Sequence, residues 1–98
     1  MRMPSGFFKF HTLRLLNERP MYGYEIIREI ERKTEKKPSQ GSIYPILHEL
    51  EEKGFVEATW HVVEKGPSRK YYHITDKGRE EFERAKQKLT EAFNALFD

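Results

Sequence analysis

Cysteine is absent from this 98-residue chain, which excludes a disulfide framework and any thiolate metal site and fits a reducing compartment. No apolar run approaches the length that spans a bilayer, and Arg2-Met3-Pro4-Ser5 leads into no signal-peptide core. The expectation is a cytoplasmic protein without membrane association. Charge of one sign is scarce too: 18 Lys and Arg stand against 16 Asp and Glu, a net charge of +2. Residues 78–98 hold four basic and five acidic side chains, so the slight basic excess lies in residues 1–77. That is far weaker than a basic nucleic-acid tail. Catalytic signatures are missing as well, with no Gly-rich phosphate loop and no Ser nucleophile motif. The four histidines, His11, His48, His61 and His73, show no metal-ligand spacing. His61 and His73 could oppose each other across a hairpin, but two imidazoles alone make a poor site. Neither an enzyme nor a metal or cofactor is expected.

What is present centres on Pro38–Gly54. Ser39 is a good N-cap and Gly54 can close the far end left-handed. Between them Ile43, Ile46, Leu47 and Leu50 recur at steps of three and four, one buried helical stripe. The other face begins with Gln40, Gly41, Ser42, Tyr44 and His48, neutral and rich in donors and acceptors, and ends in Glu49, Glu51, Glu52 and Lys53. A helix whose first turns are polar but uncharged, at the positive pole of its dipole, suits an anionic partner at that end. Pro45 leaves two readings, a start at Ser39 with a local kink or a later start capped by Ser42; the early start is preferred.

Ahead of this stretch, Ser5 can cap a helix over about 6–17 with Phe7, Phe10, Leu13 and Leu16 along one stripe and Phe8 and Leu15 on a second. So wide an apolar arc belongs to a central core helix, or in part to a subunit contact. Tyr22 opens a second helix to about Lys33, with Ile26, Ile27 and Ile30 inward. Two helices joined by a short polar turn, the second with a polar N-terminal face, form a helix-turn-helix arrangement. After Gly54 the period becomes alternating, with Val56, Ala58, Trp60 and Val62 on one side. Residues 64–68 read as a turn and Arg69–Ile74 as the returning strand, so Lys65, Arg69 and Lys70 cluster at the hairpin tip. Directly after a helix-turn-helix, such a basic hairpin is the wing of a winged helix. Thr75 caps a last helix whose Phe82, Leu89, Phe93 and Leu96 make a seam on a charged helix, continued by Phe97. Such a seam must be covered, and pairing with a second subunit is the preferred reading.

The expected fold is α+β and mainly helical: a winged helix-turn-helix over residues 1–74 with a C-terminal dimerisation helix over 75–98. With these residues in place the chain resembles the PadR family of transcriptional regulators. The resemblance is carried by Tyr22-Gly23-Tyr24-Glu25-Ile26, by Pro38 to Pro45 with Leu47 and Leu50-Glu51, and by Gly54. It continues through Gly66-Pro67-Ser68-Arg69-Lys70-Tyr71-Tyr72 and Ile74-Thr75-Asp76-Lys77-Gly78. It implies a homodimeric repressor that binds double-stranded DNA and in some members responds to a ligand. A single C-terminal helix matches the short form of the family, so an effector pocket of a larger C-terminal part does not transfer.

On this reading the helix over about 39–53 enters the major groove with Gln40, Ser42 and Tyr44, while Ser39, Lys36 and Lys37 lie near phosphates. Tyr44 could instead be a half-buried aromatic. Tyr22 is expected to be exposed towards a phosphate while Tyr24 packs, and His48 is a groove contact or a solvated helix residue. The wing, 64–70, places Lys65, Arg69 and Lys70 on phosphates or in the minor groove, with Trp60, Tyr72 and Ile74 in the core or packed in the hairpin. Phe7, Phe82, Leu89, Phe93, Leu96 and Phe97 are assigned to the dimer. Phe7, Phe8, Phe93 and Phe97 could line a cleft for a small hydrophobic effector, although a dry dimer core is preferred. The alternative function is a winged helix for protein–protein contact without specific DNA binding.

Overall fold

Helix α1 (Ser5–Glu18) runs through the middle of the fold in this computed structural model, which describes residues 5–97. His11, Thr12, Leu13, Leu15 and Leu16 are all buried within the one chain, which explains the wide apolar arc without a second subunit. Thr12 is tolerated there because its hydroxyl donates to the Phe8 carbonyl (2.7 Å). The Ser5 cap expected for this helix involves a side chain outside the described residues.

Pro20 turns the chain, and the next two residues depart from expectation. Met21–Tyr22 is a short strand, β1, and helix α2 (Gly23–Thr34) starts only after it. β1 pairs antiparallel with the later strand β3 (Arg69–Ile74), Met21 opposite Tyr72 and Tyr22 opposite Tyr71. Two residues carry no readable alternation, so this strand exists only because β3 offers an edge. Glu25 reaches back to the Tyr22 N–H (3.2 Å) and ties the strand to the first turn of α2. The far end of α2 closes on Glu35 at φ 60°, a left-handed position that favours glycine.

Helix α3 (Gln40–Glu52) takes the early start: the Ser39 hydroxyl accepts from the Ser42 N–H (3.1 Å), and Pro45 lies inside the helix. The carbonyl that Pro45 leaves without a helical partner belongs to Gly41, an exposed residue open to water. Ile43, Leu47 and Leu50 are fully buried. Gly54, at φ 76°, ends the helix in a Schellman motif, with the Phe55 N–H on the Leu50 carbonyl and the Gly54 N–H on that of Glu51.

Strand β2 (Val56–His61) then pairs antiparallel with β3, giving the sheet order β1-β3-β2. Val56, Tyr72 and Ile74 join the core, as expected of that face. Trp60 does not: it is 64% exposed, because the hairpin runs past the helices that cover its base. Register also separates the two histidines, since His73 stands opposite Glu57 and His61 opposite Arg69.

Helix α4 (Asp76–Phe97) is held by Thr75-Asp76-Lys77-Gly78, which clamps the α3–β2 turn. The Thr75 hydroxyl accepts from the Gly78 N–H (3.0 Å) and donates to the Gly54 carbonyl (2.7 Å). Lys77 Nζ donates to the Lys53 carbonyl (2.8 Å), a cation at the negative end of α3. A Cβ on Gly78 would overlap the Phe55 carbonyl oxygen, so the helix seats there only with glycine. Phe82 stacks on Phe10 of α1 (5.3 Å between rings) and is buried, so it belongs to the chain's own core rather than to a free seam. Beyond Ala85 the helix leaves the body, and the described residues extend over 56 Å by 31 Å by 20 Å.

Candidate nucleic-acid interface

The N-terminal half of α3 presents Gln40, Gly41, Ser42 and Tyr44 to solvent, while the carboxylates of its other half are partnered from within the chain. Glu49 accepts from Lys53 Nζ and from Lys9 Nζ of α1, both at 2.8 Å. Those two ammonium groups, Lys53 first, hold its carboxyl down at about 2. Glu51 meets Lys70 Nζ at 3.3 Å, and Glu52 meets His48 Nε2 at 3.1 Å. The outward chemistry of α3 is therefore concentrated in its first two turns, where hydroxyl, amide and phenol groups stand without carboxylates. Lys37, Ser39 and Gln40 line one open depression with Tyr24 of α2, and Lys36 is exposed beside them.

Three expected residues sit differently. Lys70 is half-buried, facing Glu51 and lying 5.3 Å over the Tyr72 ring, rather than standing free on the wing. Burial pushes its pKa down, but the Glu51 carboxylate and Tyr72 outweigh that and raise it. The cause of its placement is strand parity: Lys70 shares the inward face of β3 with Tyr72 and Ile74. Tyr22 is half-buried and Tyr24 is the exposed tyrosine of the pair, at 46%, the reverse of expectation. His48 is solvated and bound to Glu52, one turn on. Arg69 and Lys65 are exposed, Lys65 in the 62–68 connection and Arg69 at the start of β3.

The outward face of the sheet carries a cluster that sequence reasoning missed. The Arg69 guanidinium lies 4.8 Å over the Tyr22 ring, Tyr22 meets Tyr71 edge-on at 5.3 Å, and Tyr71 meets His61 at 4.4 Å. Arg28 similarly lies 5.8 Å from the Tyr24 ring. Arg69, Tyr71 and His73 alternate along one side of β3, a signal available in the sequence; the pairing with Tyr22 required β1. Tyr44 links this cluster to α3. A Cβ built on Gly23 would stand 2.6 Å from the Tyr44 hydroxyl oxygen and 2.7 Å from its Cζ, so the phenol rests on the bare backbone of Gly23.

Of the residues assigned to a dimer, Phe7 is half-buried beside Phe8 and His11. Leu89, Phe93, Leu96 and Phe97 are 54–77% exposed along the distal half of α4, with Phe93 and Phe97 paired at 5.3 Å. Among the described residues no group of three His, Asp or Glu side chains gathers as a metal site, and no helix is long and apolar enough to cross a membrane.

Comparisons with known proteins agree with this geometry. Residues 12–84 match the family described as "Transcriptional regulator PadR-like family". A PadR-like transcriptional regulator of Bacillus cereus is 34% identical, with 95% of this chain and 93% of that one aligned at a TM-score of 0.78. A Thermoplasma acidophilum protein described as a transcriptional regulator is 35% identical, over 94% of this chain and 88% of that one, at a TM-score of 0.85. A curated Lysinibacillus sphaericus protein is 39% identical over 69 residues. That match takes in 68% of this chain and 63% of that protein, so the chain spans less than two thirds of the curated relative. With the family matched over most of the chain and the winged-helix architecture shared, this chain belongs to the PadR-like family of transcriptional regulators.

Proposed function

We propose that this chain is a homodimeric, sequence-specific DNA-binding regulator of transcription that acts as a repressor. The observation that carries the reading is the uncharged, donor-rich first half of α3, exposed directly after Lys36 and Lys37, with its Tyr44 resting on Gly23 next to the Tyr22 ring that Arg69 overlies. Gln40, Ser42 and Tyr44 read base edges in the major groove, while Ser39, Lys36, Lys37, Lys65 and Arg69 engage phosphates or the minor groove. Repression is taken from the resemblance alone. A dimer is supported by the bare stripe Leu89, Phe93, Leu96 and Phe97, which no packed monomer would leave on one helix without a partner. Two copies would then hold two reading helices at a fixed spacing. Within one chain Phe7 pairs with Phe8 and Phe93 with Phe97, so a cleft for a small hydrophobic effector would need the second copy. A dry dimer core remains the preferred use of these rings. A second reading, protein contact through the wing, draws on exposed Trp60 and Val62.

The test is fluorescence anisotropy with the duplex upstream of the chain's own gene against a scrambled duplex at two salt concentrations. Preference for the native duplex, with affinity falling steeply in salt, is the expected result. No binding to either duplex at low salt would favour the protein-contact reading.

A further inference from the structure

The Tyr-Gly-Tyr run at residues 22–24 crosses the junction between β1 and α2. Gly23 is the informative member. Its φ lies outside the left-handed region, unlike those of Gly54 (76°) and Gly66 (107°), so no turn requires glycine there. It is the first residue of α2, where alanine is a good helix former. The three atoms nearest to a Cβ built on it all belong to Tyr44: the hydroxyl oxygen at 2.6 Å, Cζ at 2.7 Å and Cε1 at 2.8 Å. The missing side chain therefore makes room for one ring of α3 and nothing nearer. The preceding residue, Tyr22, supports the wing in the same way, with the Arg69 guanidinium 4.8 Å over its ring and Tyr71 against its edge at 5.3 Å.

We infer that the Tyr22–Gly23 junction is the positioning element of the interface, Gly23 seating Tyr44 of the reading helix and Tyr22 seating Arg69 of the wing. The inference rests on the DNA-binding reading above. Both groups are long and partly exposed, so without a seat each would sample several rotamers and lose that freedom on binding. Two adjacent residues of one rigid strand-to-helix junction hold the base-reading and the phosphate-reading group at one spacing. A Cβ at position 23 lifts Tyr44 outward, and because that ring is 43% exposed it has room to swing rather than to unfold the chain.

The experiment is a double-mutant cycle of Gly23→Ala and Tyr44→Ala in the full chain. It is read by urea unfolding and by affinity for a duplex that the wild type selects from a randomised pool, against a scrambled duplex. Gly23→Ala is expected to lower the specific-to-scrambled ratio about tenfold, the size of one lost base contact. In the Tyr44→Ala background, where the obstructing ring is gone, the same change should cost nothing in binding and should not destabilise the fold, alanine being the better helix former at that position. Tyr22→Leu should weaken both duplexes alike by about threefold, as one lost cation–π contact predicts. Equal costs of Gly23→Ala in both backgrounds, with selective binding by the wild type intact, overturn the seat alone. A wild type that enriches no sequence overturns the DNA-binding reading and this inference together, even where the unfolding cycle shows coupling.

Discussion

The two halves of α4 meet opposite fates, and not the ones their composition suggests: the first, with Phe82 and Ala85 as its apolar residues, is packed, while the second, richer in apolar side chains, is bare. In the first half, Gly78 and Phe82 are buried against the α3–β2 turn and α1, and the Thr75 and Lys77 side chains bind backbone carbonyls of that turn. In the second half, Leu89, Phe93, Leu96 and Phe97 face solvent. An apolar stripe states only that something must cover it; whether the cover is the same chain depends on where the helix passes. The division expected at residue 75 therefore falls inside the packed body, and the segment with no partner among the described residues starts beyond Ala85.

Substitutions can sharpen this contrast or break it. Phe82→Ala should cost about 3–5 kcal/mol in urea unfolding, since it empties a stacked core site between α1 and α4. A cost under about 1 kcal/mol would place the proximal half outside the core. Gly78→Ala should cost about 3 kcal/mol, because the obstacle is backbone that cannot rotate away. Its midpoint would fall without a change of slope. Phe93→Ala should leave unfolding of the dilute chain within about 0.5 kcal/mol while weakening self-association at least about tenfold in sedimentation experiments. Unchanged association would leave the distal stripe without its proposed partner.

The body should also respond to pH through His11. Burial, with Arg14 and Lys33 nearby, lowers its pKa below the usual 6.5, so the folded chain keeps the ring neutral where the unfolded chain takes up a proton. Its stabilising contribution is complete above about 6.5 and is lost as pH falls below that value towards the folded pKa. Urea midpoints at pH 7.5 and 5.5 should differ for the wild type, and the part due to this ring should vanish in His11→Asn. The smallest expected effect is a gain. Glu35→Gly relieves the left-handed φ of 60° at the end of α2 and should stabilise the body by about 0.5 kcal/mol in the same unfolding experiment.

Much of the architecture was legible because its signals are local. Ser39 and Gly54 bracket α3, and Ile43, Leu47 and Leu50 mark its inner face, through caps and a period that need no knowledge of the rest of the chain. The hairpin strands and the Thr75 cap follow from the same kind of signal, and the family is visible in the motifs strung along the chain. What stayed hidden depends on which surface lies opposite. Met21–Tyr22 is a strand only because β3 has an open edge, and Trp60 is bare because the hairpin outruns the helices. Lys70 turns to Glu51 and Phe82 is lost to the core for the same reason. Gly23 is the sharpest case: it reads as a helix start, and its requirement appears only when Tyr44, twenty-one residues later, is brought across it. The sequence by itself determined the four helices, the hairpin and the polarity of their faces, since caps and periodicity act within a few residues. Only the tertiary structure decided which of the exposed-looking groups remain exposed, because burial belongs to pairs of surfaces.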